Sequence, residues 1–186
     1  MLRIAITGNI ASGKSQVEKF IAKRFPVYDT DKIAHAILNN LTDFYGQDVF
    51  THGHIDRKKL GNIVFNNPEL KQKLENIIHP QVKSKIMEIF ENHKNEKAIF
   101  ISVPLLFEAG FENIFDRIIL VTADENLRLS RLIQRNNLSK KEAESRINSQ
   151  LPDEIKNKKA NYIITNNSSL SDLEKQTNLI LSKLFG

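Results

Sequence analysis

Residues 4–15 decide the fold, and they read IAITGNIASGKS. A short apolar run enters Gly8, and the last eight letters fit the P-loop pattern G-x-x-x-x-G-K-S. Gly8 allows the backbone to leave a strand sharply, and Gly13 allows it to pass close to a polyphosphate. Lys14 can reach the terminal phosphates, and the Ser15 hydroxyl can hold Mg²⁺. The stretch therefore predicts a strand, a phosphate-binding loop and a helix, in that order.

The composition is that of a globular protein with one full core. Of the 186 residues, 40% are apolar and 26% are charged, which is ordinary for such a protein. No apolar run approaches the length of a membrane span, so we expect none. The absence of cysteine excludes disulfides and thiolate metal sites. We also expect no signal peptide, because the first residues already form a strand. The absence of cysteine fits a reducing cytoplasm, which is the location we expect.

The positive charge of the chain is concentrated in one segment. Residues 128–159 contain nine Lys/Arg and four Asp/Glu, whereas the rest of the chain carries eighteen of each. A nucleic-acid-binding face would more often spread its excess, so the segment favours a lid over a polyanionic small ligand. Arg128, Arg131 and Arg135 share one predicted helix face, and Arg146 lies on the next helix. These arginines are candidates for binding phosphate, although such rows are otherwise solvated surface.

Five apolar segments separated by helical stretches predict a parallel α/β sheet. The predicted strands are residues 2–7, 26–28, 98–103, 117–121 and 162–165. Two of the intervening stretches are long and helical, which indicates one domain with two insertions. The predicted parts are a core of residues 1–31, 96–124 and 159–186, a helical lobe of residues 32–95, and a lid of residues 125–158.

Local signals predict where helices begin and end inside the insertions. One helix is expected to begin at residues 55–57, and the next to stop at His79-Pro80 because proline breaks helices. In the second insertion, Ser139 begins an S-x-x-E capping box. Pro152 is expected to end the helix that this box starts.

Acidic residues follow two of the predicted strands. Residues 29–31 (DTD) end the second strand, at the edge where open parallel sheets bind ligands. A carboxylate there can take a proton from a hydroxyl or help to hold Mg²⁺, but Asp and Thr are also favoured helix caps. Glu108, past the third strand, is either a site carboxylate or a loop residue. Phe107 is core or pocket wall, and a lone histidine such as His79 is more often structural than catalytic.

The missing motifs favour a small-molecule kinase. No N-K-x-D base reader follows the fourth strand, and residues 43–46 fit D-x-x-G but follow a polar loop rather than a strand. The third strand ends in Ser102-Val103-Pro104, whereas large motor ATPases carry an acidic residue directly at the end of a buried strand. The alternatives are a nucleoside or nucleotide kinase on the same fold, and a regulatory or nucleic-acid-binding P-loop protein.

The sequence resembles the dephospho-coenzyme A kinase family nearly from end to end. The matching stretches are residues 8–15 (GNIASGKS), 29–34 (DTDKIA), 53–57 (GHIDR) with Leu60, 78–80 (IHP) and 103–108 (VPLLFE), together with the lid residues Arg128, Arg131, Leu132, Arg135, Arg146 and Gln150. The 103–108 stretch is the most distinctive of them. The chain departs from the family pattern at Gln16, Asn136 and Asn161.

The resemblance implies a fold, a reaction and a set of site residues. The fold is a P-loop kinase three-layer sandwich with a five-stranded parallel sheet, a helical CoA-binding lobe and a helical lid. The reaction is transfer of the ATP γ-phosphate to the 3′-hydroxyl of dephospho-CoA, the last step of coenzyme A biosynthesis. The partners are ATP, dephospho-CoA and Mg²⁺, with no nucleic acid and no membrane, in a monomer or small homo-oligomer.

The site residues fall into four groups. The expected catalytic residues are Asp31, Lys14 and Arg135. The expected ATP-binding residues are Gly8, Ala11, Ser12, Gly13, Lys14, Ser15, Gln16, Arg135, Arg146 and Asn166. The expected residues for the acceptor are Asp31, His79, Leu106, Phe107 and Glu108. The expected ligand of Mg²⁺ is Ser15.

Overall fold

The computed structural model describes residues 1–39, 49–51, 54–56, 59–61 and 67–186. Gly53 and Arg57 of the family-like motif, and the D-x-x-G match at residues 43–46, lie outside these ranges. The chain divides into two compact units, Met1–Asp29 with His93–Gly186, and Thr30–Asn92. No helix in the described part of the chain is long and apolar enough to cross a membrane.

The strands and helices alternate along most of the chain. In chain order the strands are β1 (Leu2–Thr7), β2 (Val27–Asp29), β3 (Phe50–Thr51), β4 (His54–Ile55), β5 (Ala98–Ser102), β6 (Arg117–Thr122) and β7 (Tyr162–Thr165). The principal helices are α1 (Lys14–Ile21), α2 (Thr30–Asn39), α3 (Pro68–Asn92), α4 (Glu125–Asn136), α5 (Lys140–Asn148), α6 (Asp153–Lys159) and α7 (Leu170–Phe185). A 3₁₀ turn covers Glu112–Ile114.

A five-stranded parallel sheet forms the centre of the first unit, as the sequence predicts. Its order is β2-β5-β1-β6-β7, so β1 lies in the middle between β5 and β6. The strands are rich in Ile, Val and Thr, which favour extended backbone, and β5 is buried along its whole length. Helices α1 and α7 pack on the sheet through one apolar cluster. Its buried members include Ile4, Ile6, Val17, Ile21, Phe100, Ile119, Leu173 and Ile180.

An ion pair joins β1 to the residue before β6. Arg3 Nη2 lies 2.8 Å from Asp116 Oδ1, and Arg3 Nε donates to Asp116 Oδ2 at 3.2 Å. The backbone N–H of Arg3 also donates to Asp116 Oδ2, at 2.8 Å. The side-chain hydrogen bond from Arg3 is the main reason that the pKa of Asp116 lies below its ordinary value. The pair therefore contributes a pH-dependent part of the stability of this unit.

We expect Asp116→Asn to lower the free energy of unfolding by about 1 kcal/mol at neutral pH, because the two side chains are 38% and 31% exposed and solvent screens them. A carboxyl group with a lowered folded pKa stabilises the fold above its unfolded pKa of about 3.9, and this contribution is lost as the pH falls through the folded value. In urea unfolding, the difference between wild type and Asp116→Asn should therefore shrink from neutral to strongly acidic pH. The exposed Glu96→Gln variant is the control, and a difference independent of pH would contradict the assignment.

The second unit is built on α2 and α3 and contains a short hairpin that the sequence did not predict. Strands β3 and β4 are antiparallel, with Phe50 opposite Ile55. Ile55 therefore lies in a strand, and the prediction of a helix beginning there is wrong, although residues 59–61 are helical. A small apolar cluster forms the core of this unit. Its members are Val49, Leu60 and Leu74, with Leu38 and Ile78 packed against them.

Pro80 lies inside α3 and does not end it, so the predicted break at His79-Pro80 is wrong. Proline lacks the N–H that would bond to the carbonyl four residues earlier, at a cost of about 3 kcal/mol in a helix interior. At the next residue, Gln81 Nε2 donates to the carbonyl of Ile77 at 3.1 Å. Buried side chains such as Leu74 and Ile86 lie on both sides of the proline. We attribute the continuous helix to this burial, which outweighs the local cost.

The second insertion and the residue after it contain one helix more than the sequence predicts. Ser139 and Glu142 form the predicted capping box at the start of α5. Helix α5 ends at Asn148, before Pro152, and Pro152 is instead the N-cap of a further helix, α6. Proline is well suited to this place because the first helical turn needs no N–H donor there.

Candidate active site

The P-loop (residues 8–13) connects β1 to α1. A Cβ atom on Gly8 would collide with the carbonyl oxygen of Val121 in β6 and with the Ser12 hydroxyl. Only glycine fits at this position, because the loop passes directly over the neighbouring strand. Ala11 has a left-handed φ of 62°, which is uncommon for a residue with a side chain. The backbone of the loop therefore turns tightly between β1 and α1.

The end of the P-loop is held by Asn166, directly after β7. Gly13 has a left-handed φ of 98°, and a Cβ atom there would collide with the Asn166 side-chain amide. Asn166 Nδ2 donates to the Ser12 carbonyl at 2.8 Å, and the Asn166 carbonyl accepts from Arg131 Nη2 at 3.0 Å. The structure therefore places Asn166 against the P-loop backbone.

The start of α1 combines backbone donors with a lysine. No side chain caps its N-terminus, so the first N–H groups and the helix dipole together form an anion-binding site. Lys14 Nζ lies 2.7 Å from Glu18 Oε1 and 2.5 Å from Ser102 Oγ. Ser15 and Gln16, the next two residues, are exposed. This arrangement is suited to a polyphosphate.

The segment of residues 125–158 contacts the P-loop directly. Leu132 on α4 and Ile147 on α5 belong to a small apolar cluster, and Ile10 and Ala11 of the loop pack against it. The backbone N–H of Ile10 also donates to Gln150 Oε1 at 2.7 Å. Apolar and polar contacts therefore both fix this segment to the loop.

The predicted lid arginines occupy different environments. Arg128 is 4% exposed, and its Nε donates to the Ala123 carbonyl at 3.1 Å. Arg131 is half-buried, whereas Arg135 and Arg146 are exposed. Of the four, Arg135 and Arg146 are therefore the ones whose guanidinium groups are presented to solvent.

A cavity of about 430 Å³ borders the P-loop beside residues 147–154. It is lined by the side of the loop, the end of β6 and parts of residues 125–158, and carboxylates outnumber cations in its wall. The lining residues are Asn9, Thr122, Ala123, Asp124, Glu125, Arg128, Ile147, Asn148, Gln150, Leu151, Pro152, Asp153, Glu154 and Thr165.

The turn after β5 contains three residues that the sequence assigns to the acceptor site, and they differ in burial. Leu106 is fully buried and Phe107 is 6% exposed, so both side chains lie in the core. Lys159 Nζ lies 5.5 Å from the centre of the Phe107 ring. Glu108 lies 2.7 Å from Lys156 Nζ on α6. The structure thus connects Glu108 to helix α6.

Asp31 and His79 belong to the second unit. Asp31 is exposed in the first turn of α2, and His79 is half-buried in the middle of α3. A cavity of about 300 Å³ in this unit has Asp31 and His35 in its wall, and the rest of the wall is mainly apolar. The remaining lining residues are Ala34, Leu38, Leu60, Gly61 and Leu74.

The family model for dephospho-CoA kinase matches residues 2–172 of the chain. The chain belongs to the dephospho-CoA kinase family. A dephospho-CoA kinase of Fusobacterium nucleatum is 43% identical over 181 residues, which cover 93% of each protein. The structure of a dephospho-CoA kinase from Campylobacter jejuni is 36% identical, with a TM-score of 0.73 over 98% of this chain and 96% of that one.

A shikimate kinase from Bacteroides thetaiotaomicron shares the fold alone. It is 15% identical, and its TM-score is 0.60 over 98% of each chain. The P-loop kinase fold expected from the sequence is therefore confirmed, and the dephospho-CoA kinase relatives confirm the family.

Sequence reasoning missed the polar contacts around α6. Pro152 followed by Asp153 and Glu154 is a usual helix start, and this signal could have predicted α6. The burial of Lys156 has no local signal, because its partners Asn9 and Glu108 are distant in sequence.

Proposed function

We propose that the protein transfers the γ-phosphate of ATP to the ribose 3′-hydroxyl of dephospho-CoA, giving CoA and ADP. The observation that carries this proposal is the family match over residues 2–172, which includes both the P-loop and the helical unit. The geometry of the P-loop supports a polyphosphate donor, and the inserted unit is large enough for a bulky acceptor.

The proposed ATP site is residues 8–16 with the lid segment. Backbone N–H groups of the loop and the first turn of α1 bind the β- and γ-phosphates, together with Lys14. Arg135 and Arg146 neutralise negative charge on the transferring phosphoryl group, and their exposure supports this role. Asn166 belongs to the ATP site through its contact with the loop. Residues 125–158 act as the lid, which excludes water that would compete for the phosphate.

Ser15 is the proposed ligand of Mg²⁺. Its hydroxyl is exposed on the first turn of α1, and a hydroxyl oxygen beside phosphate oxygens is the donor set that Mg²⁺ prefers. Mg²⁺ bound there would neutralise the negative charge that develops on the phosphates during transfer.

The proposed acceptor site uses residues 32–95 as the CoA-binding lobe. Asp31 accepts the proton of the 3′-hydroxyl while that oxygen forms its bond to the γ-phosphorus, and the bond to the β-phosphate oxygen breaks to release ADP. His79, Leu106, Phe107 and Glu108 are assigned to the acceptor by family resemblance. Because Leu106 and Phe107 are buried, we assign them only to shaping the acceptor site.

The deciding experiment offers the protein ATP, Mg²⁺ and dephospho-CoA and measures ADP and CoA together. We expect the two products in equal amounts. Dephospho-CoA that lacks the 3′-hydroxyl is the control, and it should give no ADP above the background of ATP hydrolysis. Phosphorylation of a nucleoside or nucleoside monophosphate in preference to dephospho-CoA would overturn the proposal.

A further inference from the structure

A buried lysine lies at the centre of the contacts between the P-loop and the end of the lid segment. The Lys156 side chain, on α6, has no exposed surface. Its Nζ lies 2.7 Å from Glu108 Oε1 and donates to Asn9 Oδ1 at 2.5 Å. Asn9, the second residue of the P-loop, is itself only 4% exposed. The phosphate chemistry described above makes no use of this lysine.

The contacts of Asn9 allow its side-chain amide only one orientation. Lys156 carries donors alone, so it must face the amide oxygen. The amide nitrogen faces two acceptors, the Leu151 carbonyl at 3.2 Å and Asp153 Oδ1 at 2.7 Å. A flipped amide would set its NH₂ against the ammonium group and its oxygen against the carboxylate. Lys156 on the oxygen side, with Leu151 and Asp153 on the nitrogen side, therefore determines how the Asn9 side chain is turned.

The neighbouring backbone groups are held by the same segment. The N–H of Ile10 donates to Gln150 Oε1 at 2.7 Å, and the N–H of Leu151 donates to Glu108 Oε1 at 3.0 Å. Glu108 thus binds both Lys156 and the backbone at Leu151. These contacts connect the first half of the P-loop to residues 150–156.

The charges in this cluster balance. Glu108 pairs with Lys156, and Asp153 Oδ2 lies 3.5 Å from Arg128 Nη2 and accepts from Thr122 Oγ1 at 2.9 Å. Buried ion pairs are costly to desolvate, and well-packed apolar side chains often replace them with no loss of stability. A contribution to stability is therefore a weak explanation for a fully buried lysine, whereas orienting a P-loop side chain is a specific one.

We propose that Lys156 is a positioning residue for nucleotide binding. It fixes Asn9, and through Asn9 the path of the phosphate-binding backbone relative to residues 150–153. The proposal rests on the proposed function, because it requires the nucleotide to bind at the P-loop. Lys156 contacts no phosphate in this scheme, so its loss acts on nucleotide affinity more than on kcat.

The test measures binding of ADP with Mg²⁺ by calorimetry, without any acceptor. Lys156→Met keeps most of the side-chain volume and removes the donor. We expect its Kd for ADP to rise by about 10- to 100-fold, the loss that follows when a hydrogen bond to a charged phosphate group is misplaced. Lys158→Met, on the exposed side of the same helix, is the matched control and should bind as wild type does.

Two further variants separate positioning from stability. In Lys156→Met/Glu108→Gln both charges of this pair are gone, so we expect the Tm to recover while ADP binding stays weak. Asn9→Ala removes the acceptor but leaves the ion pair, and should weaken ADP binding to a similar degree. Wild-type affinity in the double variant or in Asn9→Ala would overturn the proposal, whether or not Lys156→Met folds. A wild-type protein that binds ADP but does not phosphorylate dephospho-CoA would instead count against the proposed function.

Discussion

Lys14→Met is expected to lower kcat/KM for ATP by about 10³-fold, the effect of removing a preorganised charge from a phosphoryl-transfer site. Methionine keeps the length of the side chain but cannot neutralise charge on the β- and γ-phosphates. Lys14 begins α1, where the helix N–H groups already favour an anion, so its charge adds to theirs. The measurement is ADP release with dephospho-CoA as acceptor, at ATP concentrations below and above KM.

Lys19→Met is the matched control for this prediction. Lys19 is exposed on the same helix, and its replacement should leave kcat/KM unchanged. Lys14→Met also removes one of the contacts of Glu18 and of Ser102, so the Tm of both variants must be measured beside the activity. Near wild-type kcat/KM in a folded Lys14→Met protein would exclude Lys14 from the phosphate site.

Asp31→Asn is expected to lower kcat by about 10²-fold or more, as the loss of a general base does. Asparagine retains the size and hydrogen-bonding capacity of the side chain but cannot accept the proton of the 3′-hydroxyl. Binding of ATP should be unchanged, because the P-loop is untouched. Steady-state kinetics with saturating dephospho-CoA, together with calorimetry for ADP, separates the two effects.

Asp29→Asn provides the comparison for Asp31, since Asp29 lies two residues earlier, at the end of β2. We expect a smaller loss of kcat from this variant. If Asp31→Asn turned over at nearly the wild-type rate, Asp31 would be reduced to stabilising the first turn of α2, where an acidic residue favours the helix dipole.

The parts of the fold that the sequence predicted are those with strong local signals. Strands β1 and β7 have the predicted bounds, because each is a short apolar run bordered by turn or polar residues. The capping box at Ser139 formed because its two hydrogen bonds need only residues three apart. The P-loop pattern likewise specifies its strand, loop and helix within a few residues.

The parts that the sequence could not predict depend on distant residues. Pro80 reads as a helix end, yet burial along α3 keeps that helix continuous. The hairpin containing Ile55 is only two residues per strand, too short for an alternating pattern. The position of Lys156 depends on a contact with Asn9, 147 residues away, so no local window reveals it.

The middle position of β1 affects how the protein loses its nucleotide site when it unfolds. Because β1 is hydrogen-bonded to a strand on each side, its amides exchange with solvent only when the sheet itself separates. Fraying of the edge strand β7 would release the contact of Asn166 with the P-loop, and opening of the helices in residues 125–158 would release that of Gln150, but neither separates β1 from its neighbours. We therefore expect bound nucleotide to stabilise the first unit against global unfolding by mass action, in addition to suppressing the local openings.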